Sequence, residues 1–267
     1  MLASSRRKTV RRVPVALLVP AALGLAFLVL PLVGLLVRAP WSTLPQRLTQ
    51  PGVLTALRLS LQSATLATLL CLVFGVPLAW LLARVEFPGR RVVRALVTVP
   101  LVLPPVVGGV ALLLVFGRRG LLGAWLDRTF GITLPFTTTA VVLAEAFVAM
   151  PFLIIAVEGA LRGADSRYEE AAATLGAGRW TTFTHVTLPL VAPGIAAGGV
   201  LCWARALGEF GATITFAGSF PGRTRTMPLE VYLALETDLQ AAIVLSLILL
   251  AVSVAILASL RDQWVTA

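Results

Sequence analysis

Residues 165–189 read Asp165-Ser166-Arg167-Tyr168-Glu169-Glu170-Ala171-Ala172-Ala173-Thr174-Leu175-Gly176-Ala177-Gly178-Arg179-Trp180-Thr181-Thr182-Phe183-Thr184-His185-Val186-Thr187-Leu188-Pro189, a polar stretch between two strongly apolar ones. Asp165 and Ser166 are residue types that cap helices, Tyr168 to Leu175 are good helix formers, and Gly176 is placed to end the helix. A second short helix is expected through Trp180 and Phe183, until Pro189 opens the next apolar segment at its first turn, where a missing N–H costs nothing. The spacing is Glu170-Ala171-Ala172, three residues, Gly176, nine residues, Val186, one residue, then Leu188-Pro189. A short helix pair of this kind on a membrane face can transmit force.

The surrounding chain supplies the membrane. Its 267 residues are 58% hydrophobic and 13% charged, with a mean hydropathy of +0.93, far from the roughly quarter-charged composition of soluble domains. Six stretches are long enough to cross a hydrocarbon core about 30 Å thick: residues 14–37, 53–82, 95–116, 137–160, 188–216 and 239–260. Helical rather than alternating patterns predict an all-α polytopic bundle and argue against an outer-membrane barrel. With no linker, repeat or low-complexity tract, residues 14–260 read as one transmembrane domain. A basic tail over 1–13 precedes it, a short tail over 261–267 follows it, and the polar loop with the Glu170 to Pro189 spacing covers 161–187.

Basic residues orient the bundle. Arg6, Arg7, Lys8, Arg11, Arg12, Arg84, Arg90, Arg91, Arg94, Arg162, Arg167, Arg179 and Arg261 fall on one side, 13 in all, against 7 on the other: Arg38, Arg47, Arg118, Arg119, Arg128, Arg223 and Arg225. By the positive-inside rule both termini and the polar loop over 161–187 are expected in the cytoplasm. The net charge of +10 is spread over short loops, where it sets topology and meets anionic lipid, so nucleic-acid binding is not expected. The first apolar run is a full span long and lacks a convincing small-residue cleavage site, which predicts a retained helix rather than a signal peptide.

Several chemistries are excluded by residue type. Lys8 is the only lysine, so no glycine-rich phosphate loop ending in Lys-Ser/Thr exists and this chain cannot hydrolyse ATP by that chemistry. His185 is the only histidine, and Cys71 and Cys202 lie far apart inside predicted spans; no Cys/His metal cluster or histidine-based catalytic set can be drawn. The cysteines read as small apolar residues. Ser219 lacks the context of a hydrolase nucleophile. Residues 121–130 form a short amphipathic piece with Trp125 as an interfacial anchor. Pro100, Pro104, Pro105 and Gly108-Gly109 are expected to kink or unwind the third span, either as a structural bend or as a break lining a pathway.

With these residues on the page, the chain resembles the transmembrane permease of a molybdate-type ABC importer over about residues 53–260. The resemblance rests on the docking motif, Gly75-Val-Pro-Leu-Ala-Trp80-Leu-Leu-Ala-Arg84, Pro100-Leu-Val-Leu-Pro104-Pro105-Val-Val-Gly-Gly109, and Phe116-Gly-Arg-Arg-Gly120-Leu-Leu-Gly123. It rests also on Ala204-Arg205-Ala-Leu-Gly208-Glu209-Phe210-Gly211-Ala-Thr213-Ile-Thr215-Phe-Ala-Gly218, with Thr224 to Leu229 after it. Val186 replaces the usual Ile and Ser219 a frequent Asn. The docking motif marks an importer permease of any substrate. The later segments narrow it to the molybdate, tungstate and sulfate group, with sulfate or thiosulfate the alternative and an ATP-independent secondary transporter a remote one.

The resemblance implies a type I, MetI-like permease fold in a prokaryotic inner membrane and no cofactor in this chain, ATP and Mg being bound by a separate ATPase. It also implies three kinds of partner: a cytoplasmic ABC ATPase dimer, a second permease copy and an extracytoplasmic molybdate-binding protein. The coupling residues it indicates are Glu170, Ala171, Ala172, Gly176, Val186, Leu188 and Pro189. Glu170 is equally suited to a partner contact and to bracing its own helix. For the pathway the candidates are Arg205, Gly208, Glu209, Gly211, Thr213 and Thr215. Arg205 and Glu209, four residues apart, could line a pore or pair to hold their helix, and the glycines and threonines equally suit helix packing. Arg58, Gln62 and Thr65 make a further polar stripe on the second span, expected to face protein or water.

Overall fold

A computed structural model describes residues 15–264; the basic tail, with Arg6, Arg7, Lys8, Arg11 and Arg12, lies outside the described residues, as do 265–267. Among the described residues the secondary structure is entirely helical. Five helices are long and apolar enough to cross a membrane: α1 (Val15–Val37), α3 (Pro51–Arg84), α7 (Thr138–Gly163), the run ending in α10 (Leu188–Leu207), and α13 (Leu239–Trp264). The predicted third span is not one rod. Its residues form α4 (Arg90–Val102) and α5 (Pro105–Phe116), bent by 118° and counting as a sixth span only if taken together. Leu103 at the break is extended and Pro104 stands next to it, and a residue before proline is pushed out of the helical region.

The predicted fifth span is likewise divided. Its first helix, α10, ends at Leu207, and after Gly208-Glu209-Phe210 a short helix α11 (Gly211–Phe216) follows. Three more short helices occupy the loops: α2 (Leu44–Leu48), α6 (Gly123–Phe130) and α12 (Met227–Thr237). The amphipathic piece expected near Trp125 is α6. For α12 the signal was Thr226 as a cap with Pro228 in the first turn, which the reading of that loop passed over.

The core lies where α3, α7 and α10 cross. Ala64, Ala67 and Ala79 of α3, Ala146 and Ala149 of α7, and Ala206 of α10 are buried there, with Cys71 and Cys202, both free thiols, fully buried among them. Lipid tails offer no hydrophobic drive for helices to associate, so close approach on small side chains, which maximises dispersion contact, is what holds such a bundle. The other end of α3 packs through Val53 and Ala56 on Met227 of α12 and Leu245 of α13. By contrast α1 buries none of its length in the protomer, and Phe27 is 77% exposed.

A second contact closes the two broken segments on each other. A methyl group at Gly109 of α5 would sit 2.7 Å from the Thr215 Cβ and 2.8 Å from the Ala212 carbonyl oxygen, and one at Gly211 would sit 2.9 Å from the Pro105 Cβ. Only glycine lets α5 and α11 cross this closely. Gly109→Ala is therefore expected to force the helices apart and destabilise the fold by about 1–3 kcal/mol, as overpacking does. Thermal unfolding in detergent, followed by exposure of Cys71 and Cys202 to a thiol dye, measures it; an unchanged midpoint would contradict the tight crossing.

Candidate functional site: the docking loop and the break below it

The candidate docking element is α8 (Arg167–Thr174) followed by α9 (Arg179–Thr182). Asp165 does the capping, its Oδ1 accepting from the Arg167 N–H at 3.0 Å, while Ser166 donates to Glu170 Oε1 at 3.2 Å. Gly176 has φ +84°, the left-handed value that ends helices. The Ala177 N–H reaches the Ala172 carbonyl and the Gly176 N–H the Ala173 carbonyl, both at 3.0 Å, so the last carbonyls of α8 are satisfied by a Schellman turn. The outer surface of this pair is apolar and bare: Tyr168, Leu175 and Trp180 are 60%, 89% and 75% exposed. Ala171 and Gly176 are exposed beside them and Ala172 is half-buried.

Pro189 lies in the first turn of α10, as its place at the start of the apolar segment predicts, but no break separates that helix from α9. Residues 179–207 are one continuous helical run of 29 residues, passing through a π-helical turn at Phe183–Thr187. Pro189 cannot donate to the carbonyl four residues back and its ring would press on it; widening the turn before it removes both conflicts. In that turn the Leu188 N–H bonds the Phe183 carbonyl, the five-residue step of a π-helix. Val186 and Leu188 are half-buried and Pro189 is exposed. His185 is exposed on the same turn, its Nδ1 2.8 Å from the Thr184 hydroxyl.

Glu170 is exposed, and its contact within the protomer is the local one with Ser166. The acid that reaches the spans is its neighbour Glu169, which the motif reading did not single out. Glu169 Oε1 accepts from Arg84 Nε at 3.2 Å and from the Thr187 hydroxyl at 3.0 Å. Arg84 also donates to the Ala164 carbonyl at 3.3 Å. Farther along α7, Glu158 Oε1 binds both Arg94 and Arg162 at 2.6 Å, and Arg94 donates in addition to the Leu82 carbonyl at 3.2 Å. Arginines counted only for topology thus tie together the ends of α3, α4 and α7 nearest α8.

At the far end of α10, Arg205 and Glu209 form an ion pair at 2.6 Å; the Arg205 side chain is 26% exposed and that of Glu209 1%. The pair does not brace one continuous helix, because Glu209 lies in the break. Its other oxygen accepts the Ala212 N–H at 2.8 Å and so caps α11. Gly208 is exposed, Gly211 and Thr213 are buried, and Thr215 bonds the Gly211 carbonyl of its own helix. The Thr213 hydroxyl is buried without a hydrogen-bond partner, as is Glu145 Oε2, whose other oxygen accepts from Ser63 at 2.8 Å. Arg58, Gln62 and Thr65 point away from the protomer core, with Trp203 Nε1 donating to the Thr65 hydroxyl at 3.1 Å.

Comparison with known proteins follows this geometry. Residues 75–267 match the family described as binding-protein-dependent transport system inner membrane component. The chain belongs to this family. It is 51% identical over 234 residues, 88% of either chain, to the molybdenum transport system permease protein ModB of Mycobacterium tuberculosis. To the sulfate transport system permease protein CysT of Escherichia coli it is 38% identical over 88% of this chain and 86% of that one. Among solved structures it matches that of a bacterial ABC transporter involved in the import of the acidic polysaccharide alginate. The TM-score is 0.74 and the identity 18%, over 93% of each chain. The chain is an inner-membrane permease component with the helical fold of ABC importers.

Two outcomes are expected. Neutralising either Arg205 or Glu209 alone should cost on the order of 3–5 kcal/mol by leaving a buried charge unpaired, whereas Arg205→Gln with Glu209→Gln keeps the α11 cap and restores much of the loss. Assembly yield and unfolding midpoints of the two single variants and the double one decide this, and full additivity would refute the pairing. Replacing Gly176 by a β-branched residue should unwind the end of α8 at about 1–2 kcal/mol, while Gly176→Asn is tolerated because asparagine accepts the left-handed conformation. Hydrogen exchange at Ala177 distinguishes them; equal protection in both variants would refute the cap.

Proposed function

We propose that this chain is the permease subunit of an ATP-driven importer that moves molybdate, or the near-isosteric tungstate, into the cytoplasm by alternating access. The observation that carries the proposal is the continuity of the docking helices with α10. A bare apolar surface at Tyr168, Leu175 and Trp180 stands at one end of a 29-residue helical run, roughly 43 Å long at 1.5 Å per residue, whose other end is the break at Gly208 to Phe210. A soluble ATPase seated on α8 and α9 displaces that lever. ATP and Mg reside in the ATPase dimer, and the chain itself serves as a non-catalytic subunit.

Substrate choice is supported by the relatives: at the same 88% share of this chain, identity is 51% to a molybdenum permease and 38% to a sulfate permease. In this reading a second copy pairs with the first about a two-fold axis, giving a symmetric path between them. The almost wholly exposed α1 is available for lipid and for that partner. An extracytoplasmic molybdate-binding protein delivers the dianion, and both termini face the cytoplasm. The pore then needs neutral donors rather than a strong positive trap, since tight binding stalls release; pairing Arg205 with Glu209 meets that need.

Uptake into proteoliposomes containing permease, ATPase and binding protein tests the proposal. Labelled molybdate should enter only with ATP, tungstate should compete about as well as unlabelled molybdate, and sulfate and phosphate should compete poorly. Strong inhibition by sulfate with little by tungstate would replace the substrate, and ATP-independent uptake would replace the mechanism.

A further inference from the structure

We propose that Glu169, and not the neighbouring Glu170 of the docking motif, is the positioning residue through which a displacement of α8 reaches the membrane spans. The proposal rests on the importer reading above and adds to it the route of force inside the protomer. α8 touches the rest of the chain through few polar contacts, and those of Glu169 are the ones that lead inward. One carboxylate oxygen holds Arg84 at the last residue of α3 and the hydroxyl of Thr187 at the last residue of the π-helical turn. Arg84 in turn holds the Ala164 carbonyl at the end of α7. Glu169 therefore holds α3 and the helical run leading into α10 directly, and the end of α7 through Arg84.

Burial separates the two acids. The Glu169 and Arg84 side chains are 20% and 17% exposed and Thr187 is 2% exposed, so these bonds are shielded from water and from salt. Glu170 lies on the open side of α8 and reaches only Ser166. Adjacent residues on a helix point about 100° apart, which gives one acid to a partner and the other to the protomer.

The surroundings suit a moving joint rather than a rigid weld. An open cavity of about 400 Å³ lies beneath α8, lined by Trp80, Arg84, Glu169, Arg179 and Phe183 among others. α8 can rock across it while the Glu169 bonds hold. Phe183, in the π turn, packs edge-on against Trp80 of α3 with ring centres 5.7 Å apart, an apolar contact that permits sliding where the carboxylate contact resists it. Force on α8 is thus delivered to α3 and to α10 together.

The experiment compares Glu169→Gln, Glu170→Gln and Thr187→Val in the assembled transporter in proteoliposomes, reading ATP hydrolysed per molybdate imported and the ATPase retained on the permease. Glu169→Gln should keep the ATPase bound and active but raise ATP used per molybdate several-fold. Thr187→Val should move the ratio the same way to a smaller extent, and Glu170→Gln should change ATPase retention rather than the ratio. The exchanged pair Arg84→Glu with Glu169→Arg should recover part of the coupling, which a merely structural defect would not do. A wild-type ratio in Glu169→Gln, or an exchanged pair no better than the single variants, overturns the proposal. If Glu169→Gln fails to assemble, Thr187→Val carries the test alone, and a wild-type ratio there overturns it as well. Absence of ATP-dependent molybdate uptake by the wild-type complex would overturn the importer reading itself, an outcome distinct from normal uptake with unaltered coupling in the variants.

Discussion

Every backbone polar group inside a bilayer must find its partner within the protein, and this structure departs from continuous helix twice under that constraint. The break at Leu103 and Pro104 and the break at Gly208 to Phe210 are placed against each other. Pro105 meets Gly211 and Gly109 meets Ala212 and Thr215, so each interruption is covered by the helix that the other one starts. Glu209 makes the arrangement self-consistent, because the carboxylate that starts α11 is the one that neutralises Arg205. Without the glycine crossing the second break would open to lipid, and without the capped α11 the first would.

The end of the bundle that carries α8 obeys a different rule. Here water is near and charges are inexpensive, so elements are held by arginines on carboxylates and carbonyls: Arg94 and Arg162 on Glu158, Arg84 on Glu169, Arg90 and Arg94 on the Leu82 carbonyl that α3 leaves open. On the opposite face Asp238 plays the corresponding part at the start of α13, accepting from Arg47 and from the amides of Gln240 and Ala241, contacts that hold its carboxyl below the usual range. Small residues set the middle of the bundle and ion pairs set its two ends.

Much of this was legible in the residues. Composition and span lengths predict an all-helical membrane bundle, Gly176 announces the end of α8 because glycine takes the left-handed conformation at least cost, and three prolines around residue 104 announce the first break. Other features were hidden for physical reasons. Pro189 reads as a boundary because proline normally is one, but a widened turn upstream absorbs it. Glu169 and Glu170 are indistinguishable in a string, since which of two adjacent acids faces the protomer depends on how α8 is laid against α3. The division of the fifth span falls at Gly208, and glycine is too common in membrane helices to mark a stop. The ion pair of Arg205 and Glu209 was visible from spacing, whereas the capping of α11 by the same glutamate required the fold.

The π-helical turn at Phe183–Thr187 also sets an angular register between two modules. It places one more residue in the turn than an α-helix would, and one residue corresponds to about 100° of rotation about the axis. The bare face of α9 and the contacts of α10 with α3 and α7 are consequently in phase only at this exact chain length. A single deletion between Trp180 and Val186 would preserve every motif residue and still turn the face of α8 and α9 to the wrong side of the spans. The fit of the loop to the spans is thereby governed by residue count before it is governed by surface complementarity.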